Sequence, residues 1–184
     1  EGALMVADLH LEKASFYAAK SGQMLPPYDS RETLERVAAA IRLTGARRVY
    51  ALGDSFHDGD GVERIDPYVA GMLAALTRAT DWVWITGNHD ANGGRDADDR
   101  PDGGPDRTGA MDWGGTVVDE LHLSGATLRH EARPGESGPE LSGHFHPKLR
   151  LNLRGRSIAR PCAVRGDRRL ILPAGASAPV AVPS

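Results

Sequence analysis

Five short segments hold the residues able to do chemistry: "DLH" at 8–10, "GDSFHD" at 53–58, "GNHD" at 87–90, "LRHE" at 128–131 and "GHFH" at 143–146. Every histidine of the chain except His122 lies in one of them. The GHFH turn is the most compact. His144 and His146 stand two residues apart, with a glycine before them and a proline after. Residues i and i+2 of an extended chain point the same way, so both imidazoles are expected to face one centre. The glycine lets the backbone turn or approach a ligand closely. Neutral imidazole is the commonest protein ligand for transition metals. Taken alone, H-x-H describes two solvated loop histidines equally well, so the other segments must decide.

The elements that carry these segments alternate. "ALMVAD" at 3–8, "RRVYALGD" at 47–54 and "DWVWITGN" at 81–88 are short apolar runs that predict buried strands. Between them, 29–45 predicts a helix. Asp29 or Ser30 can cap it, Leu34, Val37, Ala38 and Ile41 form one apolar face, and Gly45 can end it. A second helix is predicted over 66–79, with Pro67 in its first turn and Val69, Met72, Leu73 and Leu76 on one face. Strand–helix–strand–helix–strand is the pattern of a parallel α/β sheet, in which ligands bind at the carboxyl ends of the strands. Asp8 and His10, then Asp54, His57 and Asp58, then Asn88, His89 and Asp90 follow three successive strands. Each has an ordinary explanation singly, as a cap, a turn residue or a surface histidine. Their ordered recurrence after strands does not.

The second half changes character. Residues 91–112 are rich in Gly, Asp and Pro and are expected to form a mobile loop. Short strands are expected at about 116–124, 126–130, 149–153, 156–164 and 168–172, with turns at "GATL", "RGR" and "RGDRR". Residues 1–173 are expected to form a single domain, and 174–184 a disordered tail. The chain begins at Glu1 and runs at once into the apolar Ala3–Ala7, so the native N-terminus is expected to lie upstream.

Composition excludes several classes. No run approaches the roughly 20 apolar residues of a membrane span, and no secretory signal is visible. A lone cysteine, Cys162, excludes an internal disulfide and a cysteine-based zinc site, and suits the cytoplasm. Net charge is −3, so overall charge predicts no polyanion partner. Its distribution does. From Lys148 to Arg169 eight basic residues stand against one acid, while 90–107 holds six aspartates and three arginines. Such asymmetry marks either a polyanion-binding face or a merely arginine-rich surface. Strand alternation puts Lys148, Arg150, Asn152 and Arg154 on one face, a possible basic stripe leading away from GHFH.

In order along the chain, D-x-H, G-D-x-x-x-D, G-N-H-D, a lone His and G-H-x-H resemble the calcineurin-like binuclear metallophosphoesterases over residues 3–153. The resemblance implies an α/β fold of two facing β-sheets flanked by helices, with two divalent metal ions at the sheet edge. It implies that Asp8, His10, Asp54 and His146 hold one metal and that Asp54, Asn88, His130 and His144 hold the other, Asp54 bridging them. His122 is the rival to His130. The donors are nitrogen and oxygen, which suits Mn, Fe or Zn better than Mg. Two metals about 3.5–4 Å apart can clamp an in-line phosphoryl displacement and activate a water as nucleophile. The resemblance leaves His89 free to act as general acid or charge stabiliser at the leaving oxygen, with Asp90 bracing its loop. His57 stands where the superfamily's phosphoprotein phosphatases carry aspartate. It resembles the histidine of the double-strand-break repair nuclease that supports the catalytic one, which implies that His57 orients His89.

"VADLHLEKASFY", "GDSFHD", "ITGNHD", "WGGTVVDELHLSGATLRHE" and "SGHFHPK" resemble the ligase-associated DNA damage response endonuclease family, PdeM, more closely still. This implies a manganese-dependent DNA endonuclease, expected to prefer single strands and to act in repair beside a DNA ligase, a helicase and an exonuclease. A small-molecule phosphodiesterase or phosphatase on the same scaffold is the alternative. A non-catalytic binding scaffold, which should lack some of these metal-capable residues or His89, fits less well. Lys13, Lys148 and Arg150 are then expected to meet substrate phosphates. The chain departs from that family in its long Asp/Gly-rich loop and in the ending after "LILPA", both of which bear on substrate binding rather than on the metals.

Overall fold

The structure, a computed structural model, describes residues 2–26, 29–91, 113–175 and 180–182; the expected loop at 91–112 lies, from 92 on, outside them. In chain order the elements are β1 (Ala3–Val6), α1 (Lys13–Ser21), α2 (Asp29–Thr44), β2 (Arg48–Leu52), α3 (Gly61–Arg64), α4 (Pro67–Ala79), β3 (Asp81–Ile85), α5 (Asn88–Ala91), β4 (Thr116–Val118), β5 (Leu121–Leu123), β6 (Ala126–Leu128), β7 (Glu140–Ser142), β8 (Lys148–Leu153), β9 (Arg156–Pro161), β10 (Val164–Arg165), β11 (Arg169–Ile171) and β12 (Val180–Val182).

Two five-stranded sheets result, ordered β12-β1-β2-β3-β4 and β10-β11-β7-β6-β5, with β8 and β9 forming a separate hairpin. The first is parallel from β1 to β4. Side chains of its strands alternate between two cores. Leu4, Val6, Val49, Ala51, Trp82 and Trp84 face one cluster with helix residues Leu34, Val37, Val69 and Leu73. Met5, Ala7, Tyr50, Leu52 and Ile85 face another, shared with Leu128 and Leu172 of the second sheet. A strand covered on both faces reads as an unbroken apolar run, which is why these three were legible. Each large side chain so buried contributes about 1.5–3 kcal/mol.

The predicted helices form with small shifts of boundary. Asp66 caps α4, its Oδ1 accepting from the Tyr68 and Val69 amides. Asp29 serves a different end than expected: its Oδ2 accepts from the Ala14 amide, in the first turn of α1, and Ser30 Oγ accepts from the Glu12 amide. The run at 116–124 is not one strand. It breaks at Asp119–Glu120 because β4 completes the first sheet and β5 begins the second. The tail expected to be disordered supplies β12, antiparallel to β1. Arg154 is not on the expected stripe. β8 ends at Leu153, and Arg154 (φ 49°) with Gly155 (φ 75°) forms the two-residue turn to β9. Among the described residues no helix is long and apolar enough to cross a membrane.

Candidate metal centre and active site

The chemistry-bearing segments meet at the carboxyl ends of β1, β2 and β3, joined there by the turns after β6 and β7. Two clusters form. Ligand atoms of Asp8, His10 and His146 lie within 4.8 Å of one another, and so do those of Asp54, His130 and His144. The clusters adjoin: His130 Nδ1 is 3.6 Å from Asp8 Oδ1. Asn88 Oδ1 lies 2.8 Å from His130 Nε2, which brings it to the second cluster. His122 stands apart, exposed, with Nδ1 3.0 Å from Thr127 Oγ1 and Nε2 3.6 Å from Glu120.

His144 and His146 do not share a centre. Both have left-handed backbones, φ 67° and 44°, which splay the rings toward different clusters instead of the common side that an extended chain would give. Among the described residues eight non-glycine positions have positive φ, and Asp8, His10, Asp54, His144 and His146 are five of them. Strain of that kind persists where the surroundings over-determine it. Here they do. Both Asp8 oxygens accept from the His144 amide (3.1 and 2.9 Å), and the Asp54 Oδ1 accepts from the His89 amide at 3.0 Å. Close approach is enforced by missing side chains. A Cβ on Gly53 would sit 2.3 Å from His130 Nδ1, on Gly87 2.2 Å from the Asp54 nitrogen, and on Gly143 2.7 Å from Asp8 Oδ2.

The donor set has the electronic character of a cation site. The Leu52 carbonyl can only accept, so His130 Nδ1, 3.1 Å away, donates to it and Nε2 keeps its lone pair. Around that lone pair stand Asn88 Oδ1 (2.8 Å), His144 Nδ1 (3.0 Å) and Asp54 Oδ2 (3.4 Å). His10 Nε2 and His146 Nε2 approach to 3.1 Å in the same way. Burial lowers the His10 pKa to about 3, helped by His146, His57, His89 and Lys13. It also lowers His130 and His146, though Asp54 opposes the shift at both. Burial lifts the Asp8 carboxyl to about 8 against its bond from His144, with Asp54 and Asp90 adding to the rise. Neutral imidazoles and crowded carboxylates facing inward fit divalent metal, which would satisfy all of them together.

The neighbours of the clusters divide into braces and free groups. Asp90 braces its loop as expected: its carboxylate accepts from the Ser55, Phe56 and Gly87 amides, tying the loops after β2 and β3. His89 is half-exposed, its Nε2 3.9 Å from Asp54 Oδ2. His57 lies ring on ring with it, centroids 5.6 Å apart and planes at 16°. Phe16 and Tyr17 of α1 also meet His57, at 4.7 and 5.4 Å between centroids. Lys13, Lys148 and Arg150 are exposed. Burial also lowers the His57 pKa, and Lys13 adds to the lowering at His10, His57 and His146, as Lys148 does at His146, so both charges are felt at the site. An open cleft of about 430 Å³ beside Asn88 and His130 is lined by Thr86, Asp119 and Arg133 among others.

Sequence reasoning missed two supports. Glu131 Oε1 stands 3.7 Å from His144 Nε2, the ring nitrogen turned away from the cluster. Buried Arg129 is ringed by Glu120, Glu136 and Glu140, which anchors the strand end that delivers His130. The signal was adjacency: both residues flank His130 directly.

Fold and site together define a metal-dependent phosphoesterase. The chain belongs to the calcineurin-like phosphoesterase family, whose model matches residues 3–148, and is a hydrolase acting on phosphoester bonds. That family uses two divalent metals, in keeping with the two clusters. Among solved structures it is similar to the nuclease MPE of Pseudomonas putida, with a TM-score of 0.65 and 30% identity over 94% of this chain and 74% of that one. Yfce, a phosphoesterase from E. coli, has a TM-score of 0.50 and 13% identity over 100% of this chain and 82% of that one. AQ665 of Aquifex aeolicus, a protein of unknown function, has 0.50 and 15% over 79% of each. These last two share the fold alone. No curated protein matches the chain.

Proposed function

We propose that the chain is a two-metal phosphodiesterase that cuts DNA, with a preference for single strands and manganese as its metal. The observation that carries this reading is a full nitrogen and oxygen donor set beside an exposed basic hairpin that starts two residues past His146. The likeness to a nuclease supports it. Asp8, His10, His146 and Asp54 would hold one ion; Asp54, Asn88, His130 and His144 would hold the other. Asp54 is suited to bridging because it belongs to one cluster while its charge also acts on His146 of the other. When bound, the metals supply Lewis-acid activation of water and neutralise phosphoryl charge.

The chain's own groups do the rest. His89 is left outside both clusters, with its amide fixed by Asp54 and its ring reaching solvent. It delivers a proton, or a positive charge, to the leaving oxygen. His57 positions it by stacking. Lys13, Lys148 and Arg150 take flanking phosphates. The PdeM resemblance extends the proposal to DNA damage repair in the cytoplasm beside a ligase, a helicase and an exonuclease. Purified protein with Mn²⁺ should cut single-stranded DNA faster than duplex DNA. Hydrolysis of a generic aryl phosphodiester with neither DNA cut would replace this reading by a small-molecule phosphodiesterase.

A further inference from the structure

We infer that Phe145 is a stacking platform for an unpaired nucleobase beside the phosphate that is cut, a role that rests on the DNA reading above. Phe145 is 50% exposed and belongs to neither core cluster. A single exposed phenylalanine is ordinary on a protein surface. This one is held by the hydrogen bonds that set the site. Its own amide donates to the Gly143 carbonyl at 2.8 Å, the His144 amide to both Asp8 oxygens, and the Gly143 amide to the His130 carbonyl at 2.9 Å. The ring meets His144 edge to face, 5.1 Å between centroids. Phe145 thus stands between one histidine of each cluster, on a turn that the clusters themselves fix. A platform already rigid loses little entropy when it binds.

Its surroundings suit an oligonucleotide. Of the eight large hydrophobic side chains exposed among the described residues, Phe145, Leu149, Leu151, Ile158 and Val164 fall between 145 and 164. That tract also carries Lys148, Arg150, Arg154, Arg156 and Arg160, all exposed. Leu149, Leu151 and Ile158 share one face of the hairpin with Arg156 and Arg160, an apolar and basic surface of the kind that meets both the bases and the phosphates of a strand. A base inside a duplex has both faces covered by its neighbours and must be unstacked before a surface ring can reach it. An unpaired base has a free face. Phe145 therefore favours single strands, and it offers nothing to a small phosphate ester without a ring.

The test compares wild type, Phe145→Ala and Phe145→Trp, each checked for equal manganese content, on single-stranded DNA and on an oligonucleotide of the same length whose sugars carry no bases. Removing a base–aromatic stack costs roughly 5- to 150-fold. Wild type should therefore cut the abasic strand more slowly than DNA by about that factor. Phe145→Ala should lose a similar factor on DNA, and Phe145→Trp should restore it. On the abasic strand the alanine variant and wild type should converge, because no base remains to stack. Three results overturn the role: an alanine variant as fast as wild type on DNA, an equal loss on both strands, or a wild type indifferent to the bases. A wild type that hydrolyses an aryl phosphodiester but cuts neither strand sinks the DNA reading itself, and the platform with it.

Discussion

The sheet edge and the β8–β9 hairpin are opposite kinds of surface. At the edge, Asp8, Asp54 and His130 are buried, the backbones of Asp8 and Asp54 are left-handed, and Gly53, Gly87 and Gly143 stand where a Cβ would strike His130, Asp54 and Asp8. In the hairpin every described side chain is exposed on both faces, and two strands alone gain little stability from each other. The edge needs geometry good to fractions of an ångström, so packing from two sheets enforces it. The hairpin pairs with neither sheet, and its exposed basic residues are free to meet a substrate on the proposed reading. On that reading, reaction type belongs to the edge, and substrate choice to the hairpin and the Phe145 turn between them.

The sharpest break of that division is at its centre. Asp54→Ala removes a charge proposed to be shared by both ions, and with it the acceptor that fixes the His89 amide. Activity should vanish, and elemental analysis should find the site empty or nearly so. Two tightly held metals in this variant would take Asp54 out of its bridging role. His89→Ala should instead keep its metal and lose about 10²–10⁴-fold in rate, the usual worth of a positioned general acid. An empty site in that variant would make His89 a ligand rather than an acid.

Proton competition comes next in size. With its pKa raised to about 8, Asp8 is protonated below that pH in metal-free protein and must shed the proton to bind an ion. Cation affinity should fall by about tenfold per pH unit below about 8, a slope set by one proton, as read by calorimetry. His10, lowered to about 3, stays neutral and does not compete. The sign for stability follows. Asp8 is raised above its unfolded value of 3.8, so its contribution is present below pH 3.8 and lost as pH rises through about 8. Chelated protein should lose melting temperature as pH rises from about 4 to about 8 and level off above that, and the loaded protein should not lose it. A pH-independent affinity would show that Asp8 is not a ligand or that its pKa is not raised, and Asp8→Asn, which should lose metal only in the second case, separates the two.

His57→Ala should cost less than His89→Ala, about tenfold, and in the same direction, because stacking restrains a ring without fixing a proton. Full activity would leave His57 as a support for α1 alone.

The edge was legible in the sequence because its causes are local: buried parallel strands are apolar runs, and each ends in its candidate ligands. What the reading missed was decided by distant contacts. Helix α1 buries only Ala14, so it shows no apolar face; a left-handed Gly22 closes it and its aromatics lean on His57. Strand β12 reads as low-complexity tail, and only the free edge of β1 gives it a partner. The splay of His144 and His146 depends on a bond to Asp8, 136 residues away. The hairpin itself was legible, its turn marked by Arg154–Gly155, but its isolation from both sheets was not.

The smallest expected effect tests the hairpin's half of the division. Lys148 and Arg150 share one face of β8 with Asn152, opposite Pro161, Ala159 and Ser157, while Leu149 and Leu151 turn the other way. Arg169, by contrast, is tied to Glu140 and cannot serve a substrate without breaking that pair. Each cation that meets a phosphate releases counterions, and for a single strand each contact contributes about −0.7 to the slope of log affinity against log salt. Replacing Lys148 and Arg150 together by alanine should therefore weaken binding to single-stranded DNA several-fold at moderate salt and flatten that slope by about 1.4. At high salt the variant and wild type should draw together. Hydrolysis of a small aryl phosphodiester, with no second phosphate to hold, should keep its salt dependence. An unchanged slope on DNA would move the strand's path off the hairpin, toward the cleft beside Asn88 and Arg133. A parallel loss on the small diester at every salt would mean that the two residues shape the site, and that reaction and substrate choice are not divided between the regions at all.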